Sequence, residues 1–197
     1  NKLKKSKVIN LKGIAIGNGL AVPAVQNQHI IDMVDNNYNV TFVNDTQLAN
    51  MKVAVTECGR QTQACLSNAT LCLDSFMFCQ SELVGPFLAA ERNPYDIRMF
   101  CTEADDALKC YDMSHVTKYL DSPNVRKYLN VNQQRVRSWQ EYNMDVNMAF
   151  TMTGDPVVSY GSYVADLLND NVRVLIYAGD ADLMCNWYGN QAWTKEL

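Results

Sequence analysis

The chain has 197 residues, of which 48% are hydrophobic, 10% aromatic and 19% charged. That is enough apolar material for one domain with a substantial core, and too much for a disordered chain. Lys plus Arg number 17 against 21 Asp plus Glu, a net charge of -4, which lacks the basic face a nucleic-acid partner requires. Every apolar run is too short to span a bilayer.

The elements follow in chain order. Lys2, Lys4, Lys5 and Lys7 form a basic cluster that reads as solvated. The first residue is Asn1 and charged sequence follows it, so a processed chain or a piece of a longer one is expected. Val8 to Ile16 is rich in branched residues, ends in Gly17-Asn18-Gly19, and predicts a buried strand and turn. Pro23 opens a predicted helix to about Val34, and Asn36 to Asp45 reads as loop. Thr46 to Leu66 and Leu71 to Val84 predict two helices separated by the turn-like Ser67-Asn68-Ala69-Thr70. Glu91 to Lys109 reads as irregular. Short helices are predicted at Met113 to Leu120 and Ser122 to Tyr128. Asp155-Pro156 signals another helix, running to Leu168 and ended by Asn169-Asp170-Asn171. Val172 to Tyr177 is nearly all apolar and predicts a strand covered on both faces, and Asn190 to Leu197 begins a further helix.

Cys58, Cys65, Cys72 and Cys79 recur every seven residues, about two helical turns, so they return to one face of each predicted helix. Antiparallel packing of the two helices pairs them as Cys58–Cys79 and Cys65–Cys72, one of three possible connectivities. A zinc site is the competing reading, but the spacing is loose and no His lies nearby. Cys101 and Cys110 flank an acidic loop and are paired as a third bridge, leaving Cys185 as a free thiol. Asn39, Asn44 and Asn68 stand in N-x-[ST] sequons, so all are glycosylation candidates, with Asn68 at the predicted hairpin tip. Disulfides and sequons together point to the secretory pathway: vacuolar, lysosomal or extracellular.

The two strands predict an α/β fold with a parallel sheet, interrupted by a long helical, disulfide-rich insertion. Residues 1–22 form core strand and loop, 23–155 the insertion, and 156–197 the return to the core. In such sheets functional groups gather at the C-terminal ends of strands, here Gly17-Asn18-Gly19 and Asp180 with Asp182. An acid past a late strand is where an α/β-hydrolase keeps the acid of its triad, in the order Ser, Asp or Glu, His. The commoner role of Asp in such a loop is turn or cap.

Val172 to Trp193 (VRVLIYAGDADLMCNWYGNQAW) closely resembles the C-terminal signature of the serine carboxypeptidases. Leu11 to Leu20 (LKGIAIGNGL), Asn93-Pro94-Tyr95-Asp96-Ile97-Arg98 and the twin C-x6-C hairpin resemble further segments of that family, in the same order. The resemblance implies an α/β-hydrolase core with three disulfides: Cys58–Cys79, Cys65–Cys72 and Cys101–Cys110. It implies that Asp182 is the triad acid, with Asp180 a loop-shaping neighbour. Cys185 matches the family's unpaired cysteine beside the substrate pocket, and Asn18 and Gly19 match a loop close to the catalytic centre. A further family cysteine pair has no counterpart between Tyr38 and Met51, nor has a long-range bridge that would end near Tyr142.

No G-x-S-x-G occurs in the chain, and His29 and His115 both precede Asp182, whereas the family's base follows it. The implied function is therefore that of a serine-type carboxypeptidase acting through an acyl-enzyme, of which this chain supplies the Asp. Its partners would be a peptide with a free C-terminus and the Ser- and His-bearing segments of the same enzyme. No metal and no cofactor are expected. The alternatives are a non-catalytic binding module, or a family acyltransferase or hydroxynitrile lyase on the same fold.

Overall fold

The computed structural model describes residues 9–101 and 110–197. The lysine cluster, Val8 and the acidic loop at 102–109 lie outside the described residues. The core sheet is a parallel pair, β1 (Gly13–Gly17) and β4 (Arg173–Tyr177), in register from Gly13 opposite Arg173 to Gly17 opposite Tyr177. The first strand begins later than the run from Val8 suggests, because β4 offers only five residues to pair with. Ile16, Val174 and Ile176 pack on Ala21, Val164 and the fully buried Trp193. The opposite face is bare, with Leu175 59% and Tyr177 57% exposed, which corrects the expectation that both faces are covered.

Between the strands the chain is mainly helical. A single turn, α1 (Pro23–Gln26), passes directly into a 3-10 helix at Asn27–Val34, where one α-helix is predicted. The Asn36 side chain ties the following loop: its Nδ2 donates to the Val40 carbonyl at 2.8 Å, and its Oδ1 accepts from the backbone N–H groups of Tyr38 and Val40. This knot occupies the stretch where the family's extra cysteine pair has no counterpart.

Helix α2 (Asp45–Ser67) starts at a capping box, with Asn44 Oδ1 accepting from the Gln47 N–H and the Gln47 side chain accepting from the Asn44 N–H. It packs against α3 (Cys72–Cys79). Cys58–Cys79 and Cys65–Cys72 bridge the pair, and Cys101–Cys110 closes a third loop. Past α3 the backbone widens into a π-helical turn, Gln80–Val84, before α4 (Gly85–Leu88). Pro86 explains the widening: it has no N–H to give, and its ring crowds the carbonyl four residues back.

The stretch after Glu91 is not irregular. It forms an antiparallel hairpin of β2 (Arg92–Asn93) and β3 (Asp96–Phe100), turned by Asn93 Oδ1 accepting from the Tyr95 N–H at 2.9 Å. A turn built from a side chain leaves little period-two pattern to read. Helices α5 (Ser114–Leu120), α6 (Pro123–Tyr128) and α7 (Met144–Met152) follow. The helix predicted from Asp155-Pro156 is split: a 3-10 turn at Asp155–Val157 is followed by α8 (Gly161–Asn169). The break falls where the Tyr160 N–H donates to the Ala21 carbonyl at 2.8 Å, a contact with the β1 side of the molecule. The last helix, α9 (Trp187–Thr194), begins three residues earlier than predicted, capped by Asn186 Oδ1 accepting from the Gly189 N–H at 2.7 Å.

The largest core cluster joins Ile30, Met33, Met51, Cys58, Cys79, Leu83, Phe87 and Ile97 to Ala181 and Leu183. The loop after β4 is thereby plugged into the helical core on both sides of Asp182. Among the described residues no helix is long and apolar enough to cross a membrane.

Candidate active site

Asp182 sits in the loop that leaves the C-terminal end of β4 and is 5% exposed. Its Oδ2 accepts from Asn18 Nδ2 at 2.5 Å, and its Oδ1 from the Cys185 N–H at 3.1 Å. Asn18 reaches it from the end of β1. There its backbone turns at a φ of 49°, a left-handed conformation that Asn tolerates. The Asn18 N–H donates to the Tyr177 carbonyl at 2.9 Å, so the two strand ends are stitched together beneath the carboxylate.

The loop is gripped from the other side by the β2–β3 hairpin. The Pro94 carbonyl accepts from the N–H groups of Leu183 and Met184, and the Ile97 N–H donates to the Ala181 carbonyl. Burial raises the pKa of Asp182, while the bonds from Cys185 and Asn18 pull it back down. The folded chain therefore holds the Asp182 proton to higher pH than the unfolded chain does. The group's contribution to stability is present below the unfolded pKa and falls as pH rises to the folded value. Such a carboxylate is positioned at some cost to the fold.

Asp180 is more than a turn residue. Its carboxylate lies near the Tyr38 hydroxyl and is the main reason the Tyr38 pKa is raised. The Arg98 guanidinium lies 5.3 Å from the Tyr38 ring centre and is clamped by both carboxylate oxygens of Asp96, at 2.8 and 2.7 Å. The loop at 36–43, the hairpin and the end of β4 are thus linked at the rim of the site. The sequence reading did not single out Tyr38; the Asn-rich run around it was read only as loop.

Gly19 does not touch Asp182 by any hydrogen bond. Its carbonyl accepts from Gln26 Nε2 at 2.8 Å, and Gln26 Oε1 accepts from the N–H groups of Ala21 and Val22, each at 2.8 Å. Gln26, itself 2% exposed, shapes the turn after β1 and was also missed. Only its spacing from the Gly17-Asn18-Gly19 turn could have marked it. Gly189 presses on it so closely that a Cβ there would lie 2.7 Å from the Gln26 Cα, which fixes α9 against α1. A cleft of about 260 Å³ separates the end of β4 from α9, lined by Tyr177, Ala178, Trp187 and Asn190 among others.

Cys185 is half-buried and unpaired, and its thiol is pushed up to about 11, first by burial and then by the Asp182 charge. It is a protonated thiol at neutral pH rather than a nucleophile. Iodoacetamide at pH 7.5 is expected to alkylate it at least about 10²-fold more slowly than in the denatured chain, with the rate rising steadily toward pH 11. Equal rates in the two states would show that the pocket does not protect it. Among the described residues no cluster of three or more His, Cys, Asp or Glu is arranged to hold a metal ion.

A parallel strand pair with an acid at its C-terminal end, under a disulfide-linked helical insertion, defines the class: this is part of an α/β-hydrolase fold. The family model for serine carboxypeptidases matches residues 1–197, and the chain belongs to that family. It is 38% identical over 193 residues to carboxypeptidase Y homolog A of Paracoccidioides brasiliensis (strain Pb03), covering 96% of this chain and 34% of that protein. It is 36% identical over 197 residues to carboxypeptidase Y homolog A of Coccidioides posadasii (strain C735), covering 98% of this chain and 35% of that protein. The fold is similar to the crystal structure of Kex1(delta)p, a prohormone-processing carboxypeptidase from Saccharomyces cerevisiae, with a TM-score of 0.67 at 19% identity, over 97% of this chain and 42% of that one. The chain spans about a third of the length of the curated relatives it matches.

Proposed function

We propose that this chain is the acid-bearing segment of a serine carboxypeptidase that removes C-terminal residues from peptides. The observation that carries the reading is Asp182: a buried carboxylate at the end of a parallel strand, oriented by Asn18 and by the Cys185 N–H. In the intact enzyme it would accept a hydrogen bond from the histidine that takes the proton of the attacking serine, and would stabilise the imidazolium that results. The serine would attack the last peptide carbonyl, release the C-terminal amino acid, and pass through an acyl-enzyme that water hydrolyses. The serine and histidine would come from segments of the same enzyme beyond this chain, and the bare face of the β1–β4 pair is available to pack against them.

The helical insertion, residues 23–155, would border the cleft through Tyr38 and the β2–β3 hairpin, between core segments 1–22 and 156–197. Asn18, Gly19 and Cys185 would line the catalytic end of the substrate site. The three disulfides fit an oxidising compartment, so we place the enzyme in the secretory pathway, vacuolar, lysosomal or extracellular.

The intact enzyme is expected to release the terminal amino acid from a peptide with a free C-terminus, and to transfer the acyl group to no alcohol or amine supplied at equal concentration. Quantitative amino-acid analysis of the products tests this. Accumulation of an ester or amide in place of free acid would favour the acyltransferase reading.

A further inference from the structure

The geometry points to Asn68 as the N-glycan acceptor of this chain, in preference to the sequons at Asn44 and Asn39. The inference rests on the secretory assignment but not on the peptidase reading.

Asn68 is the exposed residue at which α2 ends, and it caps the 3-10 turn Ala69–Leu71. Its Oδ1 accepts two hydrogen bonds from the sequon threonine: one from the Thr70 N–H at 3.2 Å and one from Thr70 Oγ1 at 2.8 Å. Both bonds hold the carboxamide of this exposed residue by its oxygen and acidify the Nδ2 protons, while Nδ2 itself takes no part in the turn. The arrangement involves three consecutive residues and no tertiary contact, so a nascent chain can adopt it before the domain has folded. Leu66 and Leu71, 47% and 41% exposed, flank the tip, and a glycan standing on Asn68 would shield both.

Asn68 and Asn44 both cap a helical turn, but at Asn68 it is the sequon threonine that supplies the bonds, and at Asn44 it is Gln47. Asn44 Oδ1 is used by the Gln47 N–H as the cap of α2, and its sequon partner Thr46 is already inside the first helical turn. Asn39 sits at a φ of 55° in the loop knotted by Asn36, next to Tyr38, which lies near Asp180 at the rim of the Asp182 loop. A glycan there would stand against the site.

The step is a group transfer from a lipid pyrophosphate-linked oligosaccharide. A bond forms between Asn68 Nδ2 and the anomeric carbon, and the bond from that carbon to the pyrophosphate oxygen breaks. The lipid pyrophosphate leaves with the electron pair, and the Nδ2 proton passes to a base of the transferase.

The test is site-resolved mass spectrometry of the complete protein secreted from a eukaryotic host, after enzymatic glycan release in ¹⁸O water. Only molecules with the Cys58–Cys79 and Cys65–Cys72 bridges intact are scored. We expect ¹⁸O-labelled Asp at position 68 in most molecules, and at positions 44 and 39 in a minority. Thr70→Ala should abolish label at 68, while Thr70→Ser, which keeps the hydroxyl, should retain it. Higher occupancy at 44 or 39 than at 68 would overturn the inference. So would an unlabelled Asn68 in disulfide-bonded, secreted protein.

Discussion

Replacing Asp182 by asparagine in the intact enzyme is expected to lower kcat by about 10⁴-fold with little change in KM. The substitution keeps the size and nearly the shape of the side chain. It removes the charge that would stabilise the imidazolium, and it puts an amide donor where Asn18 Nδ2 or the Cys185 N–H already donates. The histidine of the proposed triad would meet that amide in the wrong tautomer, so the serine would not be deprotonated. At 5% exposed Asp182 offers a peptide almost no surface, so KM should hold. Steady-state release of a C-terminal residue, measured on protein whose disulfides are verified intact, checks this. A loss below about tenfold would return Asp182 to the role of a turn residue.

The second large effect concerns the bridge at the base of the helical hairpin. Cys58 and Cys79 are 0% and 2% exposed and close a loop of 21 residues between α2 and α3. On chain-entropy grounds, removing that bridge costs about 3 kcal/mol, against about 2 kcal/mol for Cys65–Cys72, whose cysteines are seven residues apart. The larger loss is also the better connected one. Cys58 and Cys79 lie in the same cluster as Ala181 and Leu183, which seat the Asp182 loop. The double Cys→Ala variant at 58 and 79 should therefore lose activity at a markedly lower temperature than wild type, and lower than the double variant at 65 and 72. Thermal inactivation of the three proteins, side by side, gives the order. The reverse order would mean that the tip of the hairpin, not its base, supports the site.

Much of this was legible because it is local. The seven-residue cysteine period placed four cysteines on facing helices, and the structure joins them as two nested bridges. The apolar run at 172–177 and the branched run ending at Ile16 marked the two core strands, although only residues 13–17 and 173–177 pair. What the sequence hid depends on contacts between distant segments. Asn18 and Asp182 are 164 positions apart, and nothing in either run says that their side chains meet. Gln26 looks like any polar residue of a helix start, yet it satisfies three backbone groups of the turn after β1. The β2–β3 hairpin escaped because its turn rests on the Asn93 side chain. Its function, gripping the Asp182 loop through the Pro94 carbonyl, is a backbone property that residue types do not announce.

The proposed function accounts for the bare strand face and the buried acid together: segments outside this chain would complete the site. The most direct measurement is the rate at which a fluorophosphonate labels the intact enzyme, since that reagent reports an activated serine without reference to any peptide. The account predicts rapid labelling of one serine, located outside these 197 residues, and labelling slowed by several orders of magnitude in Asp182→Asn. A labelled serine within this chain, or equal labelling rates in the two proteins, would contradict it.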